Sequence, residues 1–442
     1  MSGRIALATL GCRLNQVDTR QIQAGFEARG FVTVPVDGPA DVVVVNTCTV
    51  TARAEFSDRQ AIRRARRANP GARVVVTGCW AQTSPDDVAR VGGVDLVVGN
   101  ADKHRLPELV ERLLAGAVAP PRISVTDLAD ARLSPLDLPV RGTGRARAFV
   151  KVQDGCQHRC AFCIVPFARG ASRSLAPWAV VTHVRRLVEL GHPEVVLTGI
   201  DLGHYGADLT PRATLAGLVR ALTALEGLRW LRLSSLLPAY FTDELLDALG
   251  SSSAVAPHFP GPLQSGSDRV LRAMRRPYSV ALYRRVVERL GEAFPQLGLG
   301  ADVLVGFPGE TDEDFAATVA LVEALPFTYL HVFPYSRRQG TEASTRLDRV
   351  DGATLRRRAG IIRALGDAKA AAFRRSLAGR VEDVLVLERR ARHTGELVGL
   401  TGHYADVRFD GPDGLMRRLA RVKITEAAGA ELRGRLEGDR AA

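Results

Sequence analysis

The sequence predicts an α/β fold in three parts: a parallel-sheet α/β domain, a central partial (β/α)6 barrel and a small C-terminal all-β barrel. Apolar runs alternate with amphipathic helical patterns through most of the chain, which is typical of parallel sheets. Past residue 380 the pattern changes to short strands without helices between them. The length of 442 residues suits two or three domains, and 46% hydrophobic residues can supply their cores.

The first predicted domain covers residues 1–115. Its first three strands end just before Cys12, Cys48 and Cys79, and a further strand is predicted at 94–98. Helical pattern follows each apolar run, as in a buried parallel sheet. Residues 116–144 are rich in Ala, Pro and Asp and have no long periodic pattern, which predicts a linker.

The central domain is predicted over residues 145–375, where strands alternate with helices. Right-handed crossovers between such units close them into a barrel or part of one, with the catalytic loops after the strands. Strands are predicted at 148–152, 194–198, 230–234, 255–259, 300–305 and 328–333. Helices are predicted at 177–190, 215–225 and 281–293.

The last predicted domain covers residues 378–442 and follows a helical stretch at 355–377. Strands are predicted at 381–387, 397–401, 406–409 and 419–424. A β-barrel of this size commonly binds nucleic acid.

Composition narrows the class of protein further. The net charge is +12, from 60 Lys and Arg against 48 Asp and Glu, and a basic protein of this kind commonly meets a polyanion such as nucleic acid. No apolar run approaches the roughly 20 residues that span a bilayer, and the N-terminus does not resemble a secretory signal. We therefore expect a soluble cytoplasmic protein without a membrane partner, acting as a monomer.

The six cysteines fall into two groups of three. Cys156, Cys160 and Cys163 have a C-x3-C-x2-C spacing on one loop. Three thiolates so close together can hold three irons of a cubane and leave the fourth iron open to a substrate or cofactor. Zinc is the alternative, with His158 as a fourth ligand inside the loop.

The other group, Cys12, Cys48 and Cys79, is spread along the first domain. Each residue follows the carboxyl end of a predicted parallel strand, which is where such sheets place their ligand sites. Three cysteines at equivalent strand ends predict a second iron–sulfur cluster. The alternative is that each is a buried small hydrophobic residue, as free cysteine often is.

The loop around Cys156, CQHRCAFC at 156–163, resembles the signature of radical S-adenosylmethionine enzymes. The chain as a whole resembles the methylthiotransferases of that superfamily, which combine a three-cysteine domain, a radical barrel and a C-terminal TRAM domain. The matching segments cover nearly the whole chain. They are GCRLNQ at 11–16, NTCTV at 46–50, TGCWAQ at 77–82, DGC at 154–156, IVPFARG at 164–170, QSGSD at 264–268, DVLVGFPGE at 302–310 and FPYS at 333–336.

This resemblance implies two 4Fe-4S clusters, S-adenosylmethionine and a reducing electron donor. The cluster on the second cysteine group would produce a 5′-deoxyadenosyl radical that removes hydrogen from C2 of an adenine. The other cluster would carry or relay sulfur. The substrate would be tRNA isopentenyladenosine, tRNA threonylcarbamoyladenosine or an aspartate of a ribosomal protein. Segments 151–156 and 167–174 most resemble the threonylcarbamoyladenosine branch.

Seven residues are candidates for binding S-adenosylmethionine: six lie at or after strand ends, and Asp302 lies on a predicted strand. Asp302 leads into the glycine-rich turn at 306–309, whose backbone can closely approach a ribose or adenine, although such a turn can also simply reverse the chain. The two serines can hydrogen-bond a ribose or satisfy a strand-end backbone group. The candidates are Thr198, Gly199, Asp201, Ser234, Ser235, Asp302 and Gly306.

Six further residues are candidates for contacting RNA. Three arginines lie at helical spacing after Cys48, although such a charge run is often a solvated face. The others lie in the last domain, where they can stack on a base or hold phosphates. The candidates are Arg59, Arg63, Arg67, Tyr404, Arg417 and Arg418.

Two segments depart from the family pattern. Pro260 and Gly261 replace a His-Leu pair at the predicted end of the fourth barrel strand, and Leu236-Leu237 stands where relatives often carry Glu. Both are expected to line the mouth of the active site. A protein of another class, binding RNA and using zinc at both cysteine groups, is the alternative to an enzyme.

Overall fold

The computed structural model describes residues 3–116, 122–131, 133, 145–429 and 431–437. Most of the predicted linker at 116–144 therefore lies outside the described residues, and the domain boundaries stay predictions. Within the described ranges, no helix is both long and apolar enough to cross a membrane.

The N-terminal domain is a six-stranded sheet in which every neighbouring pair is parallel, in the order β2-β1-β3-β4-β5-β6. Apolar side chains on alternate strand positions fill one core on each face. The strands are β1 Arg4–Thr9, β2 Val32–Val34, β3 Val42–Thr47, β4 Arg73–Gly78, β5 Leu96–Val98 and β6 Ile123–Ser124. The helices are α1 Arg13–Glu27, α2 Ala52–Ala68, α3 Cys79–Thr83, α4 Pro85–Ala89 and α5 Leu106–Ala115.

The four predicted N-terminal strands are confirmed, and the structure adds two short edge strands. Strand β2 has only three residues, and β6 has two, so neither gives a periodic pattern that a sequence can reveal. Strand β6 lies inside the segment predicted as a linker.

The central domain consists of two three-stranded parallel sheets, β11-β10-β7 and β12-β13-β14. An isolated bridge between Leu231 and Val255 connects them, giving six barrel strands in chain order. The strands are β7 Arg147–Lys151, β8 Gln153–Asp154, β9 Arg173–Ser174, β10 Glu194–Thr198, β11 Trp230–Leu233, β12 His258–Gln264, β13 Gly298–Val305 and β14 Tyr329–Pro334. The helices are α6 Val165–Arg169, α7 Pro177–Glu189, α8 Leu215–Thr223, α9 Asp243–Gly250, α10 Asp268–Ala273, α11 Val280–Ala293 and α12 Asp312–Ala324.

The fourth barrel strand, predicted at roughly 255–259, is confirmed, but its bounds are wrong: β12 begins at His258 and ends at Gln264, and Val255 makes only the isolated bridge to Leu231. The Pro-Gly-Pro sequence of β12 lacks strand propensity. Proline is tolerated here because β12 lies at the edge of its sheet, where a missing N–H breaks no ladder bond on the outer side. A register shift between Pro262 and Gln264 ends the strand, and Gln264 has a φ of 62°.

The predicted place at the mouth of the active site is also wrong for three residues of the two unusual segments. A Cβ on Gly261 would lie 3.4 Å from the hydroxyl of Tyr283, which is on the helix outside the barrel. Leu236 and Leu237 are buried and pack in the hydrophobic cores of the central domain. Gly261, Leu236 and Leu237 therefore belong to the wall of the barrel, whereas a place for Pro260 at the mouth stays a prediction.

The C-terminal part begins after helix α13, Gly352–Leu377, and is a closed barrel in the order β15-β16-β17-β19-β18. The predicted strands are confirmed, and a fifth strand closes the barrel. The strands are β15 Val381–Arg390, β16 Leu397–Thr401, β17 Asp406–Phe409, β18 Leu419–Ala428 and β19 Glu431–Leu436.

The C-terminal barrel covers the amino ends of the central strands. Arg232 on β11 donates to the carbonyl of Gly402 at 2.8 Å, and a Cβ on Gly298 would lie 2.2 Å from the carbonyl of His403. The ring of Tyr404 stacks on His258 with centroids 4.4 Å apart. The opposite, carboxyl ends of the strands face the N-terminal domain.

Candidate active site

The second cysteine group lies on the loop after β8, at the carboxyl end of the barrel. Gly155 has a φ of 76°, and a Cβ there would lie 2.0 Å from the carbonyl oxygen of Ala171, so only glycine fits before Cys156. The Cys163 amide donates to the Cys160 carbonyl at 3.0 Å, which makes the loop a tight turn. Cys160 is buried, whereas Cys156 and Cys163 are half-buried.

A positively charged side chain lies beside the second cysteine group. The Arg276 guanidinium donates to the Sγ atom of Cys160 at 3.2 Å. Burial raises the pKa of Cys156 to about 12 and that of Cys163 to about 11, so both are protonated thiols at neutral pH without a metal. Metal binding must therefore release these protons, as is usual for thiolate sites.

The first cysteine group gathers at the carboxyl ends of β1, β3 and β4, which are neighbours in the sheet. Gly11 has a φ of 90°, and a Cβ there would lie 2.8 Å from the Sγ atom of Cys48. Gly78 has a φ of 102°, and a Cβ there would lie 2.4 Å from the carbonyl of Thr47. Glycine before Cys12 and Cys79 thus allows these chain segments to approach one another closely.

Burial and charge characterise the first group. Cys48 and Cys79 are buried, whereas Cys12 is exposed. Burial, with the nearby Cys79 and Cys12, raises the pKa of the Cys48 thiol to about 12. The Asp58 carboxylate accepts the amide of Cys48 at 3.1 Å, and burial raises the pKa of Asp58 to about 8.

Both cysteine groups suit iron–sulfur clusters. Across the described ranges, no three Cys, His, Asp or Glu side chains lie close enough together to share one metal ion. The thiolates of a cubane bind different irons and need not meet at one point. Buried polar atoms without a hydrogen-bond partner among the described residues lie at the same sheet edge and can bond to a bound group. They are Asn46 Oδ1, Thr77 Oγ1 and Asn100 Oδ1.

One side chain connects the first group to the helix that follows the loop of the second group. The Nδ2 atom of Asn100, which follows β5, lies 3.8 Å from the Sγ atom of Cys79 and donates to the carbonyl of Ala168 at 2.6 Å. Ala168 is on α6, just after the loop of the second group. The two cysteine groups therefore lie on facing edges of the two domains.

Asp201 lies beside the second group. Its Oδ2 atom is 3.9 Å from the Sγ atom of Cys156, 3.3 Å from Nε2 of His158 and 3.2 Å from the hydroxyl of Tyr240. Burial raises the pKa of Asp201. The His158 ring is hydrogen-bonded to Tyr240 at 2.8 Å. These side chains form a polar patch next to the thiol of Cys156.

Gln153 ties the end of β10 to the cysteine loop. Its amide donates to the carbonyl of Gly155 at 2.7 Å and accepts the amide of Asp201 at 2.8 Å. A Cβ on Gly199 would lie 2.7 Å from Gln153 Oε1, so this glycine leaves room for the contact. Thr198 is buried and donates to the Val150 carbonyl at 3.2 Å, which is a structural role.

The remaining candidates for the cofactor have different surroundings. The Ser234 Oγ atom is buried and has no partner in the part of the chain that the structure describes, whereas Ser235 is exposed. Asp302 lies 3.2 Å from the ring of His331 on β14. Gly306 has a φ of 77°, and a Cβ there would lie 2.2 Å from Leu355, so packing on α13 by itself requires this glycine.

The candidates for RNA contact divide into two kinds. Arg63, Arg67 and Arg418 are exposed. The other three have partners within the protein: Arg59 lies 4.6 Å from the ring of Trp80, Arg417 donates to the Leu190 carbonyl at 3.0 Å, and Tyr404 stacks on His258.

Sequence analysis missed several residues of the site. Arg169 stands in a quoted segment, and Asn100 follows a predicted strand, so both were near a signal. Gln153 also stands in a segment that resembles the family, 151–156, whereas Arg276 and Tyr240 gave no signal, because their contacts with the cysteine loop depend on loop packing.

The comparisons with known proteins agree with this architecture. Residues 4–99 match the family described as Uncharacterized protein family UPF0004, and residues 150–322 match the Radical SAM superfamily. Among solved structures, the radical S-adenosylmethionine methyltransferase TsrM from Kitasatospora setae is similar, with a TM-score of 0.59 and 19% identity. The match covers 78% of this chain and 77% of that one, which supports the fold.

Curated relatives are similar over nearly their whole length. Threonylcarbamoyladenosine tRNA methylthiotransferase MtaB is 37% identical in Bacillus subtilis (strain 168), over 96% of this chain and 94% of that protein. The protein of the same name from Aquifex aeolicus (strain VF5) is 38% identical over 92% and 97%. tRNA-2-methylthio-N(6)-dimethylallyladenosine synthase from Jannaschia sp. (strain CCS1) is 35% identical over 99% and 94%.

The fold and the two facing cysteine groups define a radical S-adenosylmethionine enzyme. More particularly, the chain belongs to the radical S-adenosylmethionine methylthiotransferase family, as the sequence resemblance predicted. Its cofactors are those of the family, S-adenosylmethionine and two 4Fe-4S clusters.

Proposed function

We propose that this enzyme converts N6-threonylcarbamoyladenosine beside the tRNA anticodon into its 2-methylthio derivative. Two relatives that carry this activity in their names support the substrate, at 37% and 38% identity over most of the chain. The observation that carries the reaction class is the contact of Asn100 with both Cys79 and Ala168, because it joins the edge that holds the first cysteine group to the helix that follows the second.

The two cysteine groups would hold two different iron–sulfur clusters. Cys156, Cys160 and Cys163 would hold the cluster that binds S-adenosylmethionine, and Arg276 would stabilise the Cys160 thiolate by its charge. Cys12, Cys48 and Cys79 would hold the second cluster.

Two of the candidates would bind S-adenosylmethionine. Asp201, beside Cys156, would accept the amino group of the methionine moiety, held in place by Tyr240 and His158. Ser234 would hydrogen-bond the ribose, because its buried hydroxyl lacks a partner among the described residues. When bound, the cofactors supply the radical that removes hydrogen from C2 of the adenine, together with the sulfur and the methyl group.

The tRNA would be held by exposed arginines, among them Arg63, Arg67 and Arg418. We also propose the cytoplasm as the location, a monomer as the active form and a reducing protein as the electron donor.

A second substrate deserves a test because the Jannaschia relative, at 35% identity, is named for dimethylallyladenosine. Mass spectrometry of nucleosides from tRNA of a host lacking both activities separates the two. We expect the 2-methylthio derivative of threonylcarbamoyladenosine to appear with this gene and to disappear with Cys156→Ala. Methylthiolated dimethylallyladenosine instead would assign the enzyme to the other substrate, and unmodified tRNA with well-folded, iron-loaded protein would contradict both.

A further inference from the structure

A buried arginine joins the central domain to the N-terminal domain. Arg169 is 2% exposed, and its Nη1 atom donates to both carboxylate oxygens of Asp154, at 3.0 and 2.9 Å. Its Nη2 atom crosses to helix α1, where it donates to Asp18 at 3.0 Å and to Asn15 at 2.7 Å. Removing one partner of such a buried pair costs several kcal/mol, so this contact fixes how the two domains meet.

Two lysines complete the group. Lys103 and Lys151 donate to the two carboxylate oxygens of Asp18 at 2.7 and 2.6 Å, and Lys151 lies 3.4 Å from Asp154. We call these five residues the interdomain charge cluster: Asp18, Lys103, Lys151, Asp154 and Arg169. Three cations oppose two carboxylates, which leaves one buried positive charge in excess within this set.

The excess charge lies beside the first cysteine group. Burial would lower the pKa of Arg169, but Asp154, Cys79 and Asp18 raise it well above its ordinary value. Burial lowers the pKa of Lys103, and the negative charges of Asp18 and Cys79 oppose this lowering. Arg169 also donates to Asn15 Oδ1, and the Asn15 amide donates to the carbonyls of Leu10 at 2.8 Å and Thr47 at 2.9 Å, which places the guanidinium next to the chain segments of Cys12 and Cys48.

An iron–sulfur cluster held by thiolates is an anion, and nearby charge tunes its reduction potential. We propose that the interdomain charge cluster positions the iron–sulfur cluster held by Cys12, Cys48 and Cys79. The excess positive charge of these five residues stabilises the reduced form of that iron–sulfur cluster. The proposal rests on the assignment of a cluster to these cysteines and is independent of the tRNA substrate.

A purely structural ion-pair network would explain the contacts but not a dependence on the sign of the charge. The test therefore uses variants that change the net charge in opposite directions. Arg169→Gln removes the excess positive charge, whereas Asp154→Asn and Asp18→Asn increase it. Arg169→Lys keeps the charge and loses the forked hydrogen bonds.

The measurement is an EPR-monitored redox titration of the full-length chain, reconstituted anaerobically with iron and sulfide. Alanine at Cys156, Cys160 and Cys163 leaves only the cluster of interest. We expect a lower midpoint potential in Arg169→Gln and a higher one in Asp154→Asn and Asp18→Asn. The midpoint potential of Arg169→Lys should stay near that of the parent chain.

A matched control removes a different interdomain pair without changing the net charge. Arg338 donates to Thr49 at 2.7 Å and pairs with Glu55 across the same two domains. The double variant Arg338→Gln, Glu55→Gln should leave the potential nearly unchanged.

Potentials that shift in the same direction in the oppositely charged variants, or that do not move, would overturn the proposal. If Arg169→Gln does not fold, a comparison of the midpoint potentials of Asp18→Asn and Arg169→Lys still tests the proposal, because only Asp18→Asn changes the net charge. A chain without iron at Cys12, Cys48 and Cys79 would contradict the cluster assignment itself, whereas unmodified tRNA with the expected potentials would contradict only the substrate.

Discussion

The two cysteine groups hold the same kind of ligand by different means. Cys156, Cys160 and Cys163 lie on one turn, so their proximity is local and is written in their spacing. Cys12, Cys48 and Cys79 come together only because β1, β3 and β4 are neighbours in a parallel sheet. A site built on one loop depends on that loop, whereas a site built on strand ends depends on the whole sheet.

The two groups also share devices. A glycine with positive φ precedes Cys12, Cys79 and Cys156 and packs against backbone or a cysteine that a Cβ would strike. Each group also has a cation nearby, the half-buried Arg276 for one and the buried Arg169 for the other. Close backbone approach and charge compensation are therefore general requirements here, independent of how the cysteines are brought together.

The largest expected effect separates the roles of the groups. Cys160→Ala should abolish cleavage of S-adenosylmethionine and methylthiolation, because it removes a ligand of the cofactor-binding cluster. Cys48→Ala should abolish methylthiolation but keep the cleavage to 5′-deoxyadenosine. Iron content and chromatography of the nucleoside products measure both. Loss of cleavage in Cys48→Ala with a full second cluster would contradict this division.

The next effect tests the dependence on the sheet. Gly78→Ala combines a positive φ with a collision against the Thr47 backbone and should lower the free energy of unfolding by roughly 2–4 kcal/mol. Gly30→Ala is the control, because Gly30 has a φ of 84° but open space around it, and should cost about 1 kcal/mol. Urea titration of the apoprotein compares the two. Equal costs would show that backbone strain alone determines them.

A smaller effect concerns the loop group alone. Arg276→Gln removes the cation that contacts Cys160 and should weaken metal binding at the second group about 10- to 100-fold. The first group should keep its iron. Competition with a chelator, followed by iron analysis of variants that keep one cysteine group each, measures the difference. Arg275→Gln is the control, because Arg275 is mostly exposed and pairs with Glu342.

The smallest effect is the response of the domain contact to acid. Arg169 and Lys151 lower the pKa of Asp154 from 3.8 to about 2, although burial opposes this. Such a carboxylate stabilises the fold above its unfolded pKa, so roughly 1–2 kcal/mol of stability should be lost as the pH falls from 4 to 2. Unfolding of the apoprotein by urea across this range measures the loss. An Asp154→Asn variant should show a shallower decline, and an equally steep one would assign the acid sensitivity to other carboxyls.

The sequence by itself determined the order of elements, the two cysteine groups and the family. Strands β1, β3, β4 and β5 and most barrel strands were predictable because each contains a continuous apolar run that only a buried strand accommodates. The bounds of strand β12 were predicted wrongly because its prolines interrupt the residue pattern of a strand. Strand β19 was missed because Leu432 is its only fully buried residue. The periodic pattern of apolar residues does not reveal a strand that buries few side chains or lies at the edge of a sheet.

Only the tertiary structure decided which charges meet. Arg169 and Asp18 are 151 positions apart, and Arg276 and Cys160 are 116 apart. A sequence shows that such residues are charged but not that they are buried, since burial depends on the packing of distant segments. The same packing turned Tyr404 toward His258 and left Arg63 and Arg67 exposed. The cysteine ligands could therefore be predicted from their spacing and from their places at strand ends. The charged residues around them could be identified only from the fold.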